Sequence, residues 1–290
     1  MRGLDFWLVT TEHLKNGLLF KDDEDYKCGM NCVAVSSVVT DVNVLAFILM
    51  SNHTHFVLEC SQTSVNEFIS KFKKNYSRYY CKRYSKQSIL KRNEIYIQEL
   101  PQSNEAIERA IAYVQMNSVA ANICIEASQY PWGTGDSFFT STTIKGTYLK
   151  DISERSKRKI LHSNIDMPPY LVLNDNGYVV PGTYVRKDLV ESVFKTAKRM
   201  KFFLNKSSKA QRNLEHIGGG TPNFNDSLVT QAVSNLCNSI FHRQKLSDLS
   251  QTQTIELLRQ LQYRFSAGVD QIARVTGLDY SEVSKLLDSV

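Results

Sequence analysis

Polar and apolar positions along the chain fall into a few regular patterns. The run Val44-Leu45-Ala46-Phe47-Ile48-Leu49-Met50 is uninterruptedly apolar, Ser51-Asn52 is turn material, and strand-forming residues resume from His53 to Glu59. A buried strand, a tight turn and a second strand are predicted. Residues two apart on a strand share a face, so His53 and His55 project together while Phe56 and Leu58 point to the core on the other side. From Ala106 to Asn122 the spacing changes to three and four, with Ile107, Ile111, Val114 and Ser118 on one stripe. This predicts a helix whose alanines allow close approach to a sheet. A second helix is predicted over Val65 to Tyr84, with Phe68, Phe72 and Tyr76 as its apolar stripe.

After Trp132 the pattern weakens. Residues 133–142 are rich in Gly, Ser and Thr and read as a loop, and between 143 and 215 only Asp175-Asn176-Gly177 and Pro181-Gly182 give turn signals. A helix is predicted from Asp188 to Phe203, packed through Val190, Val193, Phe194 and Ala197, followed by a flexible join at Gly218-Gly219-Gly220-Thr221-Pro222. The last forty residues predict three helices, Thr254 to Leu261, Val269 to Thr276 and Tyr280 to Leu287, with Gly277 as a turn. Asp279 and Glu282 form a capping box, and Val283, Leu286 and Leu287 supply the buried side. The arrangement is that of a helix-turn-helix, with Tyr280, Ser281, Ser284 and Lys285 as groove-facing DNA-binding residues; a three-helix unit of this size also serves as a protein contact.

Charge sharpens the picture. The 290 residues carry a formal net charge of +6, which favours a polyanionic partner. The 65–84 helix places Lys71, Lys73, Lys74, Arg78, Lys82 and Arg83 opposite its apolar stripe, the basic run continues through Lys86, Lys91 and Arg92, and no acid intervenes between Glu67 and Glu94. This is the footprint expected for binding a nucleic-acid backbone, with Tyr79, Tyr80 and Tyr84 placed for base stacking. Six cysteines form no disulfide pattern, no run approaches a membrane span, and the N terminus lacks an export series. These features lead to the expectation of a cytoplasmic protein with reduced thiols and no membrane partner.

The candidate chemistry centres on His53 and His55. A His-x-His pair on one strand face suits a metal ion, although two histidines are equally at home on a solvated strand. Tyr113 and Asn117 lie four apart on the flank of the 106–122 stripe, where a phenol and an amide oxygen can face one point; a tyrosine at an amphipathic boundary with its hydroxyl in water is the other reading. Glu59 and Glu108 read as solvated surface carboxylates.

Several strings resemble the IS200-like and REP-associated single-tyrosine transposases of the HUH endonuclease superfamily. They are Ala46 to Phe56 around the histidines, Tyr113 to Ala121, Phe6 to Thr10, Leu19 to Tyr26 and Tyr130-Pro131-Trp132, covering about the first 135 residues in order. The chain departs from the family pattern at Ser51, Thr54 and Ser118, which stand where that pattern has proline, a bulky apolar residue and proline.

The resemblance implies an α+β fold, an antiparallel sheet with packed helices of the ferredoxin-like HUH type, followed by a helical C-terminal region ending in the helix-turn-helix. It implies that His53, His55 and Asn117 hold a metal and that Tyr113 is the catalytic nucleophile, forming a covalent 5′-phosphotyrosine with single-stranded or hairpin DNA. The imidazole and amide shell suits Mg2+ or Mn2+. The expected division is a catalytic domain at 1–135, a mixed linker and helical region at 136–245 and a helix-turn-helix segment at 246–290. The family includes homodimers with shared sites as well as proteins that act alone. A domesticated DNA-binding protein without cleavage and a metallo-hydrolase in which Tyr113 is dispensable are the rival classes.

Overall fold

The computed structural model describes residues 4–11, 18–85, 90, 94–121, 123–141, 143–205, 226–265 and 267–288. The expected glycine join at 218–222 and the basic residues Lys86, Lys91 and Arg92 lie outside them.

The first part follows the order β1 (Asp5–Thr11), α1 (Asp23–Thr40), β2 (Asn43–Met50), β3 (His53–Cys60), α2 (Gln62–Tyr84) and β4 (Ile95–Leu100). The four strands form one antiparallel sheet in the order β2-β3-β1-β4, the ferredoxin-like β-α-β-β-α-β arrangement. Local chemistry sets the boundaries. Asp22 caps α1 by accepting from the Asp25 N–H at 3.1 Å, and Ser61 caps α2 by accepting from the Ser64 N–H at 3.2 Å, each satisfying an otherwise unmet helix donor. Asp41 and Ser85 end the two helices in the left-handed region. Ser51-Asn52 links β2 and β3 as the two-residue turn of a hairpin.

Strand alternation gives the sheet two different faces. Phe56 packs its ring against Phe68 and Phe72 of α2, both with centroids 5.4 Å away, so α2 covers the Phe56 side. The histidines, offset by one position, belong to the other side, which is covered by α3 (Asn104–Gln115). With both faces covered, β2 is apolar along nearly its whole length and buried.

The tail after α3 completes the sheet. A short helix α4 (Asn117–Ala120) follows, and residues 132–134 then run beside β2: Leu49 N–H donates to Trp132 O at 2.8 Å and Thr134 N–H to Phe47 O at 3.1 Å. Gly133 is required there, because a Cβ at that position would sit 2.6 Å from the Phe47 carbonyl oxygen. Trp132 stacks on Tyr26 with centroids 4.9 Å apart, and Tyr130 donates its hydroxyl to Leu49 O at 2.7 Å. An otherwise open edge strand is thereby covered.

The expected boundary at 135/136 does not coincide with a break in packing. Phe138, Tyr178, Val185, Val190, Val193, Phe194, Met200 and Phe203 share one hydrophobic core with the sheet. Within this stretch lie β5 (Thr147–Tyr148), α5 (Glu154–Leu161), β6 (Val172–Leu173), α6 (Lys187–Phe194) and α7 (197–205). Asn31 of α1 anchors it: its amide donates to Ile160 O and Gly177 O at 3.2 and 3.1 Å and accepts from Val179 N–H at 2.9 Å. The helix expected from Asp188 to Phe203 is broken at Lys195, where φ is 63°. Thr196 caps the second piece by accepting from the Arg199 N–H at 3.2 Å, so a cap inside the apolar period ends one helix and begins the next.

A second core, formed mainly by α8 (Asp226–Phe241), α9 (Gln251–Phe265), α10 (Val269–Thr276) and α11 (Tyr280–Asp288), gathers Val229, Leu236, Leu257, Leu261, Ile272 and Val283. Ser250 and Gln253 form a reciprocal box at the start of α9: Gln253 N–H donates to Ser250 Oγ at 3.3 Å and Ser250 N–H to Gln253 Oε1 at 3.0 Å. Gly277, at φ 74°, ends α10. Among the described residues no helix is long and apolar enough to cross a membrane, and all six cysteines are free thiols.

Candidate active site

On the α3 side of the sheet, β3 presents His53 and His55 with ring centroids 4.7 Å apart and planes nearly perpendicular at 88°. Each ring is oriented through Nδ1. His53 Nδ1–H donates to Asn52 Oδ1 at 2.8 Å, and His55 Nδ1 lies in a hydrogen bond with Thr10 Oγ1 at 2.9 Å. Thr10 stands directly opposite His55 in the β1–β3 register. With Nδ1 engaged on both rings, Nε2 is the nitrogen that a metal would take, and hydrogen bonds of this kind fix a ligating imidazole in place. By local spacing Asn52 is only turn material, and nothing near Thr10 in the sequence marks it. The strand register is the signal that identifies Thr10, and it requires the pairing partner to be known.

Tyr113 reaches the same corner from α3. Its ring meets His55 edge to face, with centroids 5.3 Å apart at 82°. Ser103 caps α3, and Ile107, Ala110, Ile111 and Val114 bury the face that packs on β2 and β3. Burial pushes the Tyr113 phenol above its ordinary range, so the hydroxyl is protonated at neutral pH. Two residues further on, Gln115 Nε2 donates to Thr134 O at 3.0 Å, tying the tyrosine helix to the tail on β2.

Asn117 follows the helix break at Met116, whose ψ is 0°. Its Nδ2 donates back to Tyr113 O at 2.8 Å, which leaves Oδ1 as the end a cation would take. No group of three or more His, Cys, Asp and Glu side chains is gathered for a metal among the described residues. Two imidazoles fixed through Nδ1 nevertheless fit a divalent cation that keeps part of its water shell, with the Asn117 amide oxygen as the further donor the tyrosine segment offers. His53 and His55, rather than carboxylates, would supply the protein donors for such an ion.

Glu108 departs from its expected exposure. It is fully buried on α3, and Arg199 of α7 grips it with two hydrogen bonds, Nε to Oε1 and Nη2 to Oε2, the latter at 2.7 Å. Glu59 is also engaged, accepting from Asn43 Nδ2 at 2.8 Å. Glu108 is buried while Arg199 is half exposed, so removing the arginine leaves a buried carboxylate without its counter-charge. Arg199→Ala is therefore expected to lower the melting temperature clearly, and the double variant Glu108→Leu/Arg199→Met to recover most of the loss, as read by thermal unfolding followed by circular dichroism. Equal melting temperatures for Arg199→Ala and the unaltered chain would show that the pair does not support α3.

The proposed DNA-contact residues divide by surroundings. Lys74, Arg78 and Lys82 are exposed on α2, and Lys71 and Lys73 are half-buried. Arg83 turns inward, with Nη2 2.6 Å from Asp22 Oδ2 and Nη1 2.7 Å from Asp25 Oδ1, so its charge is neutralised within the fold. Tyr79 and Tyr84 donate their hydroxyls to Asp25 at 2.9 and 2.8 Å, and Tyr80 is buried. These three tyrosines pack the α1–α2 seam instead of lying open for stacking. Tyr280, Ser281 and Lys285 are exposed on α11, and Ser284 is half-buried. The α2 row lies on the sheet face opposite the histidines.

No curated protein matches the chain in sequence. A solved structure described as a REP-associated tyrosine transposase bound to a REP hairpin is 13% identical, covering 45% of this chain and 76% of its own, with a TM-score of 0.35; at that level the likeness carries no argument about the site. Residues 20–99, which run from the segment before α1 into β4 and hold both histidines but not Tyr113, match the family model for IS200-like transposases.

Proposed function

We propose that this chain is a transposase acting as a metal-dependent, single-tyrosine DNA strand transferase on single-stranded or hairpin DNA. The observation that carries the reading is the meeting of Tyr113 with His55 and His53 in one corner of the sheet, brought from separate elements.

Tyr113 Oη attacks a phosphorus of the bound strand. The bond from phosphorus to the 3′ oxygen breaks, the phenolic proton leaves as the new bond forms, and the departing oxygen takes up a proton. The products are a 5′-phosphotyrosine and a free 3′-hydroxyl. One phosphodiester replaces another, so attack by a 3′-hydroxyl on the phosphotyrosine rejoins DNA without ATP. A bound Mg2+ or Mn2+ would supply polarisation of a non-bridging phosphate oxygen. His53, His55 and Asn117 would hold it, with Asn52 and Thr10 fixing the imidazoles. Lys71, Lys73, Lys74, Arg78 and Lys82 would contact backbone phosphates, and α10–α11 would dock as a helix-turn-helix through Tyr280, Ser281, Ser284 and Lys285.

The test is a denaturing gel of the purified chain incubated with Mg2+ or Mn2+ and labelled single strands from both ends flanking its own gene. A slower protein band carrying the 5′-phosphate side, absent with chelator, is expected. Binding to these strands with no adduct on any of them overturns strand transfer in favour of a regulatory DNA-binding protein. Metal-dependent cleavage with no covalent adduct favours a hydrolase.

A further inference from the structure

We infer that the groove between α2 and α5 is a second nucleic-acid backbone site, built partly from residues beyond the family-matched segment and separated from Tyr113 by the sheet. The groove has a cavity volume of about 280 Å³ and is lined by Lys71, Lys74 and Arg78 from one side and Arg158, His162 and Asn164 from the other. No carboxylate lines it.

Several cations elsewhere are neutralised within the fold. Arg83, Arg109, Arg186, Arg199 and Arg274 each have a carboxylate within ion-pair distance, and Lys157, on α5 itself, pairs with Glu154 at 2.6 Å. Lys71, Lys74, Arg78 and Arg158 form no ion pair among the described residues. Four like charges converging on one cleft repel one another, and a polyanion relieves that repulsion. On α2 the three basic positions are spaced three and four apart and form a row about 10 Å long, enough to follow roughly three phosphates of one strand along a duplex axis.

Both walls are fixed. Phe68, Phe72 and Tyr76 bury the inner side of α2, while Leu161 joins Ala34 and Val35 in a core that holds α5 against α1. His162 ends α5 in the left-handed region at φ 48°, and its ring lies against Tyr79 with centroids 5.1 Å apart. Since α2 covers the Phe56 side of the sheet and Tyr113 meets His55 on the other, DNA in this groove is a different stretch from the one at the tyrosine. The ligand chemistry is the phosphodiester backbone, offered by a duplex or by a single strand.

Salt dependence of binding, measured for the full chain in chelator with both a duplex and a single-stranded oligonucleotide, tests the assignment. The slope of log K against log salt changes by about 0.9 per lost phosphate contact on duplex and about 0.7 on a single strand. The variant Lys71→Gln/Lys74→Gln/Arg78→Gln/Arg158→Gln is expected to flatten the slope by about 3 to 4 on the form that uses the groove. Arg158→Gln alone should flatten it by about 1, Arg158→Lys should restore it, and Lys159→Gln, exposed on α5 outside the groove, should leave it unchanged. An unchanged slope for Arg158→Gln on both forms overturns the site. The inference draws on the strand-transfer reading only for the identity of the polyanion. Loss of the slope with no covalent adduct would retain the groove and refute strand transfer, and an adduct with an unchanged slope would do the reverse.

Discussion

Tyr113→Phe is expected to abolish the covalent DNA adduct while leaving affinity for the same strand nearly unchanged. The substitution deletes one oxygen and keeps the ring that meets His55 edge to face at 5.3 Å, so α3 and the histidine pair stay in place. Loss of a nucleophile that forms a covalent intermediate costs on the order of 10⁴ to 10⁶ in rate, far more than the loss of one hydroxyl contact. Adduct yield on a denaturing gel and affinity in chelator separate the two effects. His53→Ala provides a contrast: it keeps the phenol, yet cleavage and its dependence on Mg2+ or Mn2+ should disappear together. Undiminished cleavage by the phenylalanine variant would remove Tyr113 from the chemistry.

Trp132→Ala is expected to destabilise the fold by about 3–5 kcal/mol, the range for deleting a large buried aromatic. Trp132 is 6% exposed, stacks on Tyr26 and lies 5.8 Å from Tyr178, while its backbone oxygen accepts from Leu49 N–H. Removing the indole opens a cavity beneath the backbone that covers the Phe47 to Leu49 stretch of β2 on its outer edge. The effect should reach the site, because Thr134 ties this tail to Gln115, two residues from Tyr113. Chemical denaturation measures the loss. Trp132→Phe, which keeps a ring near Tyr26, should lose less, and a change below about 1 kcal/mol in the alanine variant would show that the tail does not close the sheet.

Most of what was legible in the chain followed short-range geometry. An apolar run, a two-residue turn and a period of two predicted the β2–β3 hairpin and put both histidines on one face, as observed. A period of three to four predicted α2 and α3 with their buried stripes. The three C-terminal helices appear close to their expected limits, but α8 was not anticipated, and the expected helix from Asp188 to Phe203 is split at Lys195. There the helical period continues across the break, and only a threonine cap distinguishes two helices from one.

Charge was the least legible property. Arg83 belongs to a basic row by sequence, and Glu108 is indistinguishable from any exposed helical carboxylate. Their partners, Asp22 and Asp25 for the first and Arg199 for the second, come from other elements. The approach of Tyr113 to His55 was available only through resemblance, since no local spacing relates β3 to α3. By itself the sequence determined strands, helices and their buried faces, because backbone geometry ties those to neighbours a few positions away. Tertiary structure alone decided which charges are neutralised, which strand edge is covered and which side chains share the site, because each depends on partners far along the chain.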